Sequence, residues 1–254
     1  MAQSPVQSRR LTTRAAHDHA GVAAFFDACA PAYADRHGDP GRLLRDRLAL
    51  LREAAEPKPG DTVLEIGCGT GLHLLALADE YGRGLGVDLS PAMVEAARAR
   101  LGRHAGKVSF TVDAAERLTG VADASVDVVL AVGALEHMLD QAAVCASAFR
   151  VLRPGGRFAC LTLNGGGLWY RRLAPALGIS TRQLATDRYL TRRELRALLR
   201  AAGFGDVQLD SWTFVQRGDM PRAAAALMAG LDRVGKWLGI DALRGGLRAR
   251  AVKR

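Results

Sequence analysis

Val63–Gly71 reads VLEIGCGTG, and the spacing of its three glycines decides the fold. The run TVLEI, Thr62–Ile66, is short, apolar and rich in β-branched residues, so it is expected to be a buried strand. LHLLALADEY, Leu72–Tyr81, then shows helical spacing, with Leu74, Leu75, Ala78 and Tyr81 forming a stripe. A strand, a glycine turn and a helix together present backbone N–H groups and a helix N-terminus to a ligand. Glycine suits the turn because a Cβ would hold the ligand off the backbone and would penalise positive φ. A dinucleotide turn is spaced G-x-G-x-x-G. Here it is Gly67-x-Gly69-x-Gly71, with Glu65 two residues ahead of the first glycine. An acid at that strand end repels a pyrophosphate and suits a ligand carrying a positive ammonium.

Four further elements follow in order. GRGLGVDLSPAMVEAARARL gives a strand over Gly84–Val87 that ends in Asp88, 21 residues after Gly67, about where an acid meets ribose hydroxyls. Ser90 and Pro91 then open a helix, the hydroxyl as cap and the proline at the first position. KVSFTVDAAERL gives a third strand closing on Asp113 and Ala114, and SVDVVLAVGALEHMLD a fourth over Val126–Val132. AFRVLRPGGRFACLTL reads as a helix, a turn and a fifth strand.

These five elements, spread over about residues 20 to 215, resemble class I S-adenosylmethionine (SAM)-dependent methyltransferases. The resemblance is to the small-molecule type that includes the ubiquinone and menaquinone biosynthesis enzymes, of which YLTRRELRALLRAAGF (Tyr189–Phe204) is also typical. It implies an α/β, Rossmann-like, seven-stranded and mostly parallel sheet with an antiparallel terminal strand. Helices are expected on both faces, with helical additions on the acceptor side. It also implies SAM as cofactor. In that assignment Glu65 reaches the methionine end, directly or through water. The turn supplies Gly67, Cys68, Gly69 and Gly71, Asp88 meets the ribose, and Asp113 with Ala114 meets the adenine amino group. Leu89, Met93 and Val132 complete the set. In relatives a tyrosine after an N-terminal helix covers SAM, and Tyr33 in APAYADR matches that place; plain core packing is the alternative.

At 254 residues and 49% hydrophobic the chain fits one α/β domain, expected over 16–254 behind a loose tail over 1–15. No apolar run approaches about 18 residues, so no membrane span is expected. The first residues lack an apolar segment of secretory type, which points to the cytoplasm. Cys29, Cys68, Cys145 and Cys160 have no metal spacing and read as small reduced core residues. Charge is unevenly placed. The last 84 residues hold 17 Lys+Arg against 7 Asp+Glu, the first 170 hold 18 against 19, and the whole chain is +9. Such a basic third suits an anionic or amphipathic acceptor, an acidic membrane surface or nucleic acid, or simply an arginine-rich solvated face. Nucleic acid is disfavoured. Strand four ends in AVGA, without the Asn-Pro-Pro-aromatic motif of DNA amine methylation, and Cys160 follows alanine rather than proline.

The acceptor side should be closed by pieces beyond the strand ends. Three are expected: a helical cap over 16–58, a lid-like insertion over 164–190, and a helical insertion over 221–240. In the lid, Trp169, Tyr170 and Leu173 would cover an apolar acceptor with Arg171 and Arg172 at the rim, Gly165–Gly167 serving as hinge; packing of both rings against the sheet edge is the alternative. In the third piece, Leu227, Leu231, Val234 and Leu238 share an apolar helix face expected to pack on the acceptor side, a dimer contact being the alternative. His137, just after strand four, is the candidate base for an acceptor that must lose a proton. The metal-binding E-x-x-E-H of ubiquinone O-methyltransferases has Gly133 at its first position here, so no metal is expected. The reading is a methyltransferase acting on a small, partly apolar acceptor, as a monomer or homodimer. A protein or RNA methyltransferase and a SAM-binding non-transferase are its alternatives.

Overall fold

The computed structural model describes residues 16–33, 40–213 and 222–254. The expected tail over 1–15, and Phe214, Val215 and Pro221, lie outside the described residues. In chain order the elements are α1 (His19–Cys29), α2 (Pro40–Ala55), β1 (Thr62–Ile66), α3 (Leu72–Ala76), β2 (Arg83–Asp88), α4 (Pro91–Arg98), β3 (Val108–Val112) and β4 (Val126–Val132). There follow α5 (Gln141–Val151), β5 (Leu152–Leu163), α6 (Ala174–Ala176, entered through a π-helical turn over Trp169–Leu173), α7 (Arg192–Ala201), β6 (Gly205–Trp212), α8 (Arg222–Leu238) and β7 (Gly246–Val252).

The seven strands form one sheet in the order β3-β2-β1-β4-β5-β7-β6. Strands β1 to β5 pair in parallel, and β7 runs antiparallel to both β5 and β6. Strand order reverses beside β1, and an open α/β sheet binds its ligand beyond the strand ends at such a point. The central strands are buried on both faces, which is why they read as unbroken apolar runs. Alternation still sorts the side chains. Leu64, Val129, Ala131, Phe158 and Cys160 pack on one face with α5 and α7. Val63, Val128, Leu130, Ala159 and Leu161 pack on the other with α2, α3 and α4.

Two elements differ from expectation. The helix expected over Leu72–Tyr81 stops at Ala76 and gives way to a 3-10 turn over Ala78–Glu80. There the Tyr81 hydroxyl folds back and donates to the Leu74 carbonyl at 2.8 Å, taking part in closing the last turn. Helix α8 is turned the other way round. Ala225, Met228, Asp232 and Gly235 face inward, while Leu227, Val234 and Leu238 are exposed. Asp232 forms a buried ion pair with Arg244 at 3.1 Å and accepts from the Gly245 N–H. Gly235 approaches Leu243 so closely that a Cβ would lie 2.7 Å from it. That pair and that contact fix the rotation of the helix.

Candidate active site

The turn after β1 is built on left-handed backbone at Gly67, Gly69 and Gly71 (φ 62, 51 and 75°). These glycines serve different ends. A Cβ at Gly67 would strike Ala134 and one at Gly71 would strike Phe110, so both are needed for close packing. At Gly69 the nearest atom to such a Cβ would be Tyr33 Cε1 at 3.9 Å, so this glycine opens onto the cleft. Asp88 closes the turn from β2: it accepts the Gly69 N–H at 2.8 Å and the Ser90 N–H at 2.9 Å. Burial pushes its carboxyl above the ordinary value, against the pull of those backbone bonds. Each oxygen retains a lone pair for a further donor.

Glu65 does not reach the cleft. It is fully buried, with one oxygen 2.9 Å from His73 Nδ1 and the other accepting the Leu74 N–H at 3.1 Å. The carboxylate expected to reach the methionine end directly or through water makes its direct contacts within the turn and at the start of α3. His73, unassigned by the sequence, is its partner.

A cleft opens beyond the strand ends. Gly67, Gly69, Asp88, Leu89, Met93 and Asp113 line one wall. Tyr33 reaches this cleft and an adjoining one, where Cys68 and Val132 also lie. Gly71 and Ala114 are buried behind the walls, and Ala114 donates its N–H to the Asp113 carboxylate at 2.8 Å. Burial pushes the Cys68 thiol well up, so it is an inert lining group.

Arg47 of α2 lines the adjoining cleft and was missed by the sequence reading. Burial lowers its pKa from the ordinary value, while Tyr33, Glu136 and Glu65 favour its charge. Its Nε is buried without a hydrogen-bond partner. Gly133, with φ +61°, makes room for it: a Cβ there would lie 2.9 Å from Arg47 Nη2. Gly133, standing where the metal-binding motif has an acid, therefore leaves room for the half-buried guanidinium of Arg47. Such a group wants an anionic partner.

The opposite wall is formed by α1 and the turn after β4. Helix α1 is pinned through Asp27, which accepts from Ser90 Oγ at 2.5 Å and from the Ala92 N–H at 3.0 Å. Its Val22 and Phe26 line the cleft beside Met138 and Leu139. His137 lies there too, buried, with Phe26 edge-on at a centroid distance of 5.3 Å. His137 Nδ1 is 2.7 Å from Asp187 Oδ1. The second Asp187 oxygen accepts the Gln183 and Leu184 N–H groups at 2.7 and 3.0 Å. Asp187 was also missed. It is the sole Asp or Glu between Asn164 and Tyr189, and that solitary acid is the available signal.

The insertion thus braces the cleft wall from behind through Leu184–Arg188, and not through its aromatics. The Arg188 N–H donates to the Glu136 carbonyl, and Leu184 packs with Val22 and Phe25 of α1. Trp169 is 3% exposed and packs with Ala174 and Met228 of α8, with Tyr170 beside it. Arg171 is exposed, and neither aromatic lines the described cleft. The expectation that Trp169 and Tyr170 cover the acceptor is corrected: the tryptophan is a core residue holding the insertion to α8.

Residues 64–160 match the family model described as Methyltransferase domain. The chain is similar to a malonyl-[acyl-carrier protein] O-methyltransferase of Hahella chejuensis, 36% identical over 152 residues, covering 59% of this chain and 52% of that protein. It is also similar to a ubiquinone biosynthesis O-methyltransferase of Methylocella silvestris, 38% identical over 133 residues, 51% of this chain and 48% of the relative. The chain spans about half the length of the curated relatives it matches. Among solved structures, the [4+2]-cyclase SpnF has the same fold, with a TM-score of 0.70 at 23% identity, covering 96% of this chain and 99% of that one.

Proposed function

We propose that the chain is a SAM-dependent methyltransferase that methylates a small, partly apolar molecule whose accepting atom must first lose a proton, a reading supported by the match of residues 64–160 to a methyltransferase domain. One observation supports this reading: the glycine turn with Asp88 and His137, which Asp187 holds from behind, line the same cleft. When bound, SAM supplies an electrophilic methyl group on a sulfonium. The residues present fit it. Asp88 has lone pairs left for ribose hydroxyls, Gly69 leaves the backbone open, and the orphan Nε of Arg47 suits the methionine carboxylate. Tyr33 would cover the cofactor and Asp113 would meet the adenine.

The chain's own contribution to the reaction is positioning and proton removal. Val22, Phe26, Met138 and Leu139 offer an apolar seat and exclude water, and holding the reactants aligned is worth roughly 7–11 kcal/mol in favourable cases. The Asp187 carboxylate holds the proton of His137 on Nδ1, which makes Nε2 the basic nitrogen. His137 then accepts the acceptor's proton, and the buried carboxylate stabilises the imidazolium that results. Both relatives described above are O-methyltransferases, which agrees with an acceptor hydroxyl or acid.

The fold alone also suits a cyclase, as SpnF illustrates, so turnover is the test. The protein would be incubated with methyl-labelled SAM and a cell extract separated into small-molecule, protein and RNA pools. Label in the small-molecule pool that disappears in His137→Ala supports the proposal. Label confined to protein or RNA contradicts it.

A further inference from the structure

Seven large apolar side chains are exposed among the described residues, and five of them fall on α8 and the turn after it: Leu227, Val234, Trp237, Leu238 and Ile240. Trp237 is 83% exposed. The helix cannot roll to hide them, because Asp232 is held inward by Arg244 and Gly235 lies against Leu243. At 100° per residue the four of them on the helix, Leu227, Val234, Trp237 and Leu238, share one arc, with Arg222, Arg233 and Lys236 on the arc beside it. All three cations are exposed. The acid on the helix, Asp232, is buried against Arg244, and Asp241 beyond it pairs with Arg192. The outer face is therefore apolar and cationic together. Leu177, 60% exposed, adds to it, because its short helical run packs on α8 through Ala174 and Ile179.

We propose that α8 docks this protein on the surface of an anionic bilayer. Tryptophan suits the boundary between headgroups and acyl chains, and flanking Lys and Arg are drawn to acidic headgroups. A second copy of the chain fits less well. A two-fold contact would set the same cationic arc on both sides, and like charges facing each other are repelled.

The test uses the full chain with vesicles of phosphatidylglycerol and phosphatidylcholine in equal parts, against vesicles of phosphatidylcholine alone. Cosedimentation with the anionic vesicles is expected, declining as salt is added. A blue shift of tryptophan emission should accompany it and should come from Trp237, since Trp169 and Trp212 are already buried (3% and 4% exposed). Trp237→Ser should remove the shift, and Lys236→Gln should lower partitioning on the order of fivefold. Both sites are exposed, so unchanged melting temperatures are expected. Equal partitioning on the two vesicle types, or none on either, would overturn the proposal. So would a concentration-dependent dimer that Trp237→Ser dissolves in the absence of vesicle binding, which would assign the helix to a second copy.

Discussion

On one wall of the cleft, Asp88 accepts from Gly69, 19 residues before it, and from Ser90, two residues after it, while Glu65 meets His73 eight residues on. On the other wall, His137 is held by Asp187, 50 residues away, and packed by Phe26 from the first helix. The first wall is mostly backbone, arranged by one strand–turn–helix unit and its neighbour. The second is assembled from side chains that the sheet topology brings together. A wall of the first kind can be carried whole from protein to protein. One of the second kind is particular to a chain, and it is where an acceptor would be chosen.

The comparison breaks most sharply at the His137–Asp187 pair. Asp187→Asn can offer an N–H to Nδ1 and push the ring proton onto Nε2, and His137→Ala removes the base altogether. Either should lower kcat by roughly 10²–10⁴-fold with little change in SAM affinity, read from steady-state rates once the acceptor is in hand. A structural effect comes next. Trp169→Ala should cost about 3 kcal/mol of stability by emptying the contact between the insertion and α8. Thermal or urea unfolding would show it, with SAM binding preserved.

The cofactor wall answers to smaller changes. Asp88→Ala should weaken SAM by roughly 1.5–3 kcal/mol, because charge-assisted hydrogen bonds to ribose are lost. Arg47→Met should weaken it about tenfold if the guanidinium holds the methionine carboxylate. Smallest is a pH effect. Asp88 is held above its ordinary 3.8 by burial, so the folded chain takes up this proton more readily than the unfolded one. As pH falls through that raised value, protonation of Asp88 favours the fold but turns an acceptor oxygen into a donor. SAM affinity should therefore fall at a pH above 3.8 without a matching loss of apo-protein stability from this group. In Asp88→Asn that step should vanish from the binding profile.

The first five strands and the glycine turn were legible because each depends on short patterns: β-branched runs, alternate glycines, and Ser90 with Pro91; the antiparallel close of the sheet came only with the family resemblance. Ser90 Oγ indeed accepts the Met93 N–H as a cap, and β4 spans Val126–Val132 as read. Glu65 was legible as an acid but not in its engagement, which needed His73 to fold back onto it. Arg47 and Asp187 were illegible for a different reason. Each acts across a fold-dependent contact, Arg47 against Gly133 and Asp187 against His137, and neither sits in a local pattern. Trp169 shows the opposite error. An aromatic pair after three glycines suggests a lid, yet helix α8 supplies the apolar partner the sequence left unnamed.

Calorimetric titration of SAM into the wild type, Asp88→Ala and Asp187→Asn tests the two-wall account most directly, and it requires no knowledge of the acceptor. The account predicts that SAM binds the wild type, that Asp88→Ala weakens it by roughly 10- to 150-fold, and that Asp187→Asn binds it as the wild type does. Unchanged affinity in Asp88→Ala, or an equal loss in Asp187→Asn, would contradict it.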